Sequence, residues 1–175
     1  MLSTVLIVIL VAVAALLAFA ASRPATFRVE RATTINATPE KLFGLLNDFR
    51  QWGGWSPWEK LDPGMQRTHS GAASGKGAIY AWEGNKAVGA GRMEITDSAP
   101  PSRLGIKLDF LRPFEAHNNI EFTLKPSGGG TLITWAMLGN NNFMGKLMSV
   151  FMNMDKMIGK DFDAGLANLK SLAEK

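Results

Sequence analysis

Residues 143–172, FMGKLMSVFMNMDKMIGKDFDAGLANLKSL, decide the fold. Leu147, Phe151, Met154, Ile158, Phe162, Leu166 and Leu169 recur at steps of three or four, which lays one apolar stripe along a single helix spanning the whole segment. Asn142 stands where an N-cap belongs, and Lys146, Lys156, Lys160 and Lys170 mark the polar flank. Such a stripe has to be buried by the rest of the chain. The segment is also rich in sulfur, with Met144, Met148, Met152, Met154 and Met157.

Working outward, Phe27, Val29, Arg31, Thr33 and Ile35 alternate with more polar neighbours as a first strand. Thr38-Pro39-Glu40 pairs an N-cap with proline at the first helical position, and Leu42, Phe43, Leu45 and Leu46 supply an apolar helical face. A second short helix is expected over 48–52. Gly53-Gly54, Pro57 and Asp62-Pro63-Gly64 are turn signals that put Trp55 and Trp58 on an irregular connection. Six strand patterns follow, at 65–70, 78–83, 87–96, 103–110, 116–125 and 131–139, each bounded by turn residues and joined by short connections. In the fourth of these, Leu104, Ile106, Leu108 and Phe110 alternate with Arg103, Gly105, Lys107 and Asp109, one face wet and one buried. The expected class is α+β: a curved antiparallel sheet of about seven strands wrapped around a long C-terminal helix, with two short helices after strand 1.

At 175 residues the chain accommodates one domain and an appendage. The appendage is the start, where residues 2–21 carry no charge and match, at about 1.5 Å per residue, the ~30 Å hydrocarbon core of a bilayer. Ala18-Phe19-Ala20 would suit a signal peptidase, which would make the product periplasmic or secreted. No Lys or Arg precedes the run and its apolar part is long, which favours an uncleaved, single-pass anchor over residues 1–22. Arg23, Arg28 and Arg31 follow it, placing the domain on the cytoplasmic side by the positive-inside rule. A linker at 23–26 then holds the domain, 27–175, within ~15 Å of the bilayer. The net charge of +4 comes without a Lys/Arg run, so nucleic acid is not the expected partner, whereas an anionic membrane surface is compatible. No cysteine is present, which excludes disulfides, zinc-thiolate sites and thiol nucleophiles.

The order of elements, Trp55-Ser56-Pro57-Trp58 with Asp62-Pro63 after it, Tyr80-x-Trp82-x-Gly84-Asn85, and Met152-x-Met154-Asp155-Lys156-Met157 resemble bacterial proteins of the polyketide cyclase/dehydrase and lipid transport superfamily (SRPBCC), which share the START-like helix-grip fold. The resemblance covers nearly all of residues 27–175. It implies a hydrophobic cavity between the sheet and the long helix, in a superfamily that ranges from ligand carriers to enzymes.

Candidate ligand-binding residues follow. Met144, Met148 and Met152 run beside the main stripe as a flexible, polarisable wall. Trp55 and Trp58 could close a pocket or cover the end of the core. Tyr80 beside Trp82 on one strand and Trp135 in phase with Ile133 and Met137 are candidates to line the cavity that the resemblance implies, and Asn118, in phase with Ile120 and Phe122, is a polar group able to orient a ligand or to bond backbone at a strand end. Asp155, beside the apolar stripe, requires a partner, and a structural pair is expected before a catalytic role. His69 and His117 lack metal-ligand spacing, and 71–77 falls one residue short of a phosphate-binding loop. No catalytic constellation, metal or cofactor is indicated. The leading expectation is a membrane-anchored module that binds or transports a hydrophobic small molecule or lipid. The alternative is a cyclase/dehydrase-type enzyme using Asp155 or Glu94 to move a proton.

Overall fold

In the computed structural model, which describes residues 2–175, the chain runs α1 (Leu2–Ser22), β1 (Thr26–Ile35), α2 (Pro39–Asn47), two 3₁₀ turns (Phe49–Gly54 and Pro57–Lys60), β2 (Gln66–Gly71), β3 (Ala78–Glu83), β4 (Ala90–Ala99), β5 (Arg103–Arg112), β6 (Ala116–Ser127), β7 (Gly130–Asn140), α3 (Phe143–Phe151) and α4 (Met154–Ala173). The strands form one seven-stranded antiparallel sheet in the order β1-β7-β6-β5-β4-β3-β2. Neighbouring strands after β1 are joined in sequence, and β1 closes onto β7. The strand expected at 87–96 begins later, at Ala90, because Asn85 Oδ1 accepts from the Ala87 N–H and organises a turn through Gly89, whose φ is +63°.

Side chains on the concave face align in rows across the sheet. Ile95, Ile106, Ile120, Met137 and Val29 make one row, and Leu104, Phe122, Trp135 and Arg31 the next. Over these rows lie α2, the 3₁₀ turns and α4. Thr38 Oγ1 caps α2 by accepting from the Lys41 N–H, with Pro39 behind it. At the other end of α2, the carbonyls left without helical partners accept indole N–H groups: Leu46 from Trp52 at 2.9 Å and Leu45 from Trp55 at 3.3 Å. Both tryptophans are thus fixed with their rings in the core.

The 143–172 segment is two helices, a departure from the single helix its periodicity predicts. The chain leaves the helix at Met152, and Asn153 Oδ1 starts a new one by accepting from the Lys156 N–H. Only the second half follows the expected stripe. In α4, Phe162, Leu166 and Leu169 are buried, and the Phe162 ring stacks on Trp135 at 4.1 Å and 9°. Gly165 permits this approach, since a Cβ there would come 2.7 Å from Trp135 Cζ3. Arg31 crosses the Gly159 backbone, where any Cβ would collide with the guanidinium, and binds Asp155 through both carboxylate oxygens at 3.0 and 3.1 Å. α3 instead packs against α1, with Lys146 Nζ donating to the Ala21 carbonyl and Arg23 Nε to Ser149 Oγ. Phe151, which the periodicity assigns to the buried stripe, is 70% exposed.

Two outcomes follow. Phe162→Ala is expected to lower the unfolding free energy by about 3–5 kcal/mol, and Phe151→Ala to change it by less than ~0.5 kcal/mol, measured by urea denaturation of the full chain in detergent. Equal losses would restore one continuous stripe. The hydrogen bonds from Arg31 hold the Asp155 carboxyl below its ordinary range. A carboxyl lowered in the folded state contributes stability that is present above the unfolded pKa, about 3.9, and that is lost as pH falls through the folded value. Asp155→Asn should therefore flatten the acid limb of the melting temperature below about pH 5. An unchanged acid limb would mean that the clamp adds nothing.

Candidate functional site

One end of the sheet concentrates the features expected of a binding site. It is the end where β1 begins and β7 finishes, beside the junction with α1. There Tyr80, Met93, Leu108, Asn118, Gly139 and Phe27 stand side by side across six strands. Asn118 brings an amide into this otherwise largely apolar row and is 7% exposed. Gly139 leaves the space that its Oδ1 and the Phe27 ring occupy. Beyond Phe27 a groove of about 410 Å³ opens between the 23–26 linker, the first residues of β1 and the α3–α4 break, lined by Arg23, Phe27, Val29, Phe151, Met152 and Asp155 among others. A second hollow, about 460 Å³, lies around the other side of β1 against Arg28, Asn119 and Leu138.

The middle of the space between sheet and α4 is occupied by rings. Trp55 contacts Phe122 and Trp135 edge-on, Trp58 meets Trp135 and Phe162 edge-on, and Trp135 lies against Phe162. Trp55 and Trp135 are fully buried, Trp58 partly, and the Trp135 indole N–H has no partner among the described residues. Of the residues singled out from the sequence, Tyr80, Trp82 and Asn118 lie toward the open end of the concave face. Met152 and Asp155 reach the groove, and Asp155 has the partner that its position demanded, although its side chain is 60% exposed. Met144 and Met148 are exposed on α3, away from the tryptophans.

Sequence reading missed Glu59 and Arg67. Tyr80 Oη donates to Glu59 Oε1 at 2.5 Å, and Arg67 Nε donates to Glu59 Oε2 at 2.6 Å. Burial, reinforced by the neighbouring carboxylate, raises the pKa of the Tyr80 hydroxyl. The cluster latches the turn carrying Trp58 to β2 and β3. Its members are far apart in sequence and on elements of different periodicity, so spacing carries no sign of it. Phe27 and Leu108 were legible as alternating strand residues and Met93 was not singled out; register alone places the three in one row with Asn118. On the convex face, burial alone would raise the Asp109 carboxyl, but hydrogen bonds and charge from His117 and Lys107 bring it below its ordinary value. That group faces away from the groove side. Among the described residues no cluster of His, Asp or Glu is arranged to hold a metal ion.

Comparison with known structures matches this architecture. A protein of Chromobacterium violaceum, CV1439, superposes with a TM-score of 0.60 at 16% identity, covering 87% of this chain and 99% of its own. The ginseng (Panax ginseng) major latex-like protein 151 superposes at 0.62 with 12% identity, covering 87% and 100%. The di-domain ARO/CYC protein StfQ of the steffimycin biosynthetic pathway superposes at 0.64 with 9% identity, covering 86% of this chain and 51% of its own. These likenesses establish the helix-grip fold. A search of curated proteins finds no match. Residues 26–174 match the family model described as polyketide cyclase/dehydrase and lipid transport, so the chain belongs to that family.

Proposed function

We propose that the protein is a membrane-anchored binder or carrier of a hydrophobic small molecule or lipid, with residues 1–22 as the anchor and the domain on the cytoplasmic side. The observation that carries this reading is the nearly buried Asn118 amide in an otherwise largely apolar row that leads, past Phe27, to the groove beside α1. A mostly apolar recess with one placed polar group is the usual composition of a small-molecule site: apolar burial supplies affinity and the amide fixes orientation. Met93, Leu108 and Met137 would take the apolar body, Asn118 its polar end, and Met152 and Asp155 would border the mouth. Trp55 and Trp135 would stand behind such a recess, in the aromatic cluster that fills the space between sheet and α4. The helix α1 is apolar, uncharged and long enough to cross a membrane. The three arginines at Arg23, Arg28 and Arg31 favour cytoplasmic placement.

Native mass spectrometry of the full chain released from mild detergent is the test. A lipid-sized hydrophobic molecule should remain bound to the wild type, and Asn118→Ala should weaken its retention about tenfold, the equivalent of one hydrogen bond. Wild-type protein that is empty from every source, and that takes up no fluorescent lipid analogue, would overturn the reading.

The Tyr80–Glu59–Arg67 cluster is the observation that favours the second reading, a cyclase/dehydrase-type enzyme. Its geometry suits a latch better, because a hydroxyl capped by a carboxylate and raised in pKa is a poor proton donor. Tyr80→Phe is expected to lower stability by about 1–3 kcal/mol while the bound molecule stays the same. A changed bound species in Tyr80→Phe, of a mass consistent with an unconverted precursor, would instead favour the enzyme.

A further inference from the structure

The exposed large apolar side chains of the domain are unevenly distributed. Outside α1 they are Leu61, Leu111, Phe114 and six residues between Phe143 and Met157. The antiparallel meander assigns them positions. The starts of β1, β2, β4 and β6 and the finishes of β3, β5 and β7 share one end of the sheet. Leu111 and Phe114 flank the β5–β6 connection at that end, and Phe114 is 81% exposed. Leu61 is tied to the same end through Asp62, which accepts from the Asn85 N–H in the β3–β4 connection at 2.7 Å. α3 follows directly from the finish of β7. The connections at the opposite end, 71–77, 100–102 and 128–129, carry glycine, proline, serine and alanine with one lysine, Lys76, and no exposed large apolar side chain.

α1 enters at the apolar end, with only Arg23, Pro24 and Ala25 between its last residue and β1. Lys60 and Lys86 stand exposed beside Leu61 and the β3–β4 connection, and neither is in an ion pair among the described residues. Apolar side chains presented on separate connections and continuous with an apolar helix fit a phospholipid surface, and the exposed Glu115 beside Phe114 offsets the two lysines, so the apolar groups carry the fit. We infer that this end is seated in the bilayer interface: Phe114 with Leu111, the exposed face of α3, and Leu61 enter the headgroup region, and the groove beside Phe27 opens onto lipid. The inference rests on the membrane-anchored reading above and adds to it a fixed orientation of the domain. A molecule entering the groove would then come from the bilayer without crossing water.

The chain has no cysteine, so single spin labels can be placed at will. Four full-length variants, Val11→Cys, Phe114→Cys, Phe151→Cys and Ser102→Cys, would be labelled and reconstituted in vesicles of phosphatidylcholine and phosphatidylglycerol. Their accessibility to oxygen and to a water-soluble nickel chelate would be compared by electron paramagnetic resonance. Labels at Phe114→Cys and Phe151→Cys should be several-fold less accessible to the chelate, relative to oxygen, than the label at Ser102→Cys. A lipid-exposed Val11→Cys label with Phe114→Cys and Phe151→Cys both as wet as Ser102→Cys would overturn the inference and leave the anchor intact. A wet Val11→Cys label would overturn the anchored reading itself. Chelate protection of Phe114→Cys or Phe151→Cys accompanied by dipolar coupling between labels would overturn the inference in favour of a second copy covering this face.

Discussion

The contact on which the arrangement depends is the stack of Phe162 on Trp135. A curved sheet leaves a broad apolar hollow, and α4 fills it only because Gly165 lets its backbone come close enough for two rings to lie flat against each other. Once the rings are in contact, Trp55, Trp58 and Phe122 pack around them edge-on and the middle of the hollow is full. The indoles of Trp52 and Trp55 have a second use, supplying donors to the last carbonyls of α2. One aromatic cluster therefore sets the helix–sheet distance, holds α2 in place and confines open volume to the end of the sheet where α4 has not yet begun.

That division also explains what could be read from residues alone. Alternation marked the strands and their inward faces, Thr38-Pro39 marked the start of α2, and Asn142 marked the start of α3, because each of these signals is local. The element order was enough to bring out the fold. The break at Met152–Asn153 was hidden, since the apolar spacing runs through it without a change of phase and an asparagine between two methionines resembles an ordinary polar-face residue. The cap is visible only once Asn153 Oδ1 is seen to accept from Lys156. The candidate site was legible in part for the same reason. Asn118 declared itself by its phase, whereas its neighbours Phe27, Met93 and Leu108 come from three other strands and are assembled by register. The Glu59–Tyr80–Arg67 latch depends on the path of an irregular connection, which no periodicity describes.

The two ends of the domain differ in chemistry as well as in openness. The end away from α1 is finished with glycine, proline and small polar turns, as suits connections in water. The other end carries bulky apolar side chains on connections that have no packing reason to hold them. The apolar row through Asn118 and the groove beside Phe27 are at this second end. Sequence features that look unrelated, an apolar first helix, a methionine-rich helix and a phenylalanine at a hairpin tip, thus come together in one region of space.

The crossing of Arg31 over Gly159 constrains how the sequence can change. With arginine in place, a Cβ at position 159 would fall on the guanidinium, so a side chain there has to push that flexible group out of its present place over the helix. Once Arg31 has been shortened, that volume is vacant and a side chain at 159 would repair a void instead of causing a clash. The two positions therefore do not contribute independently, and the same substitution at 159 reverses its effect according to whether it comes before or after one at 31.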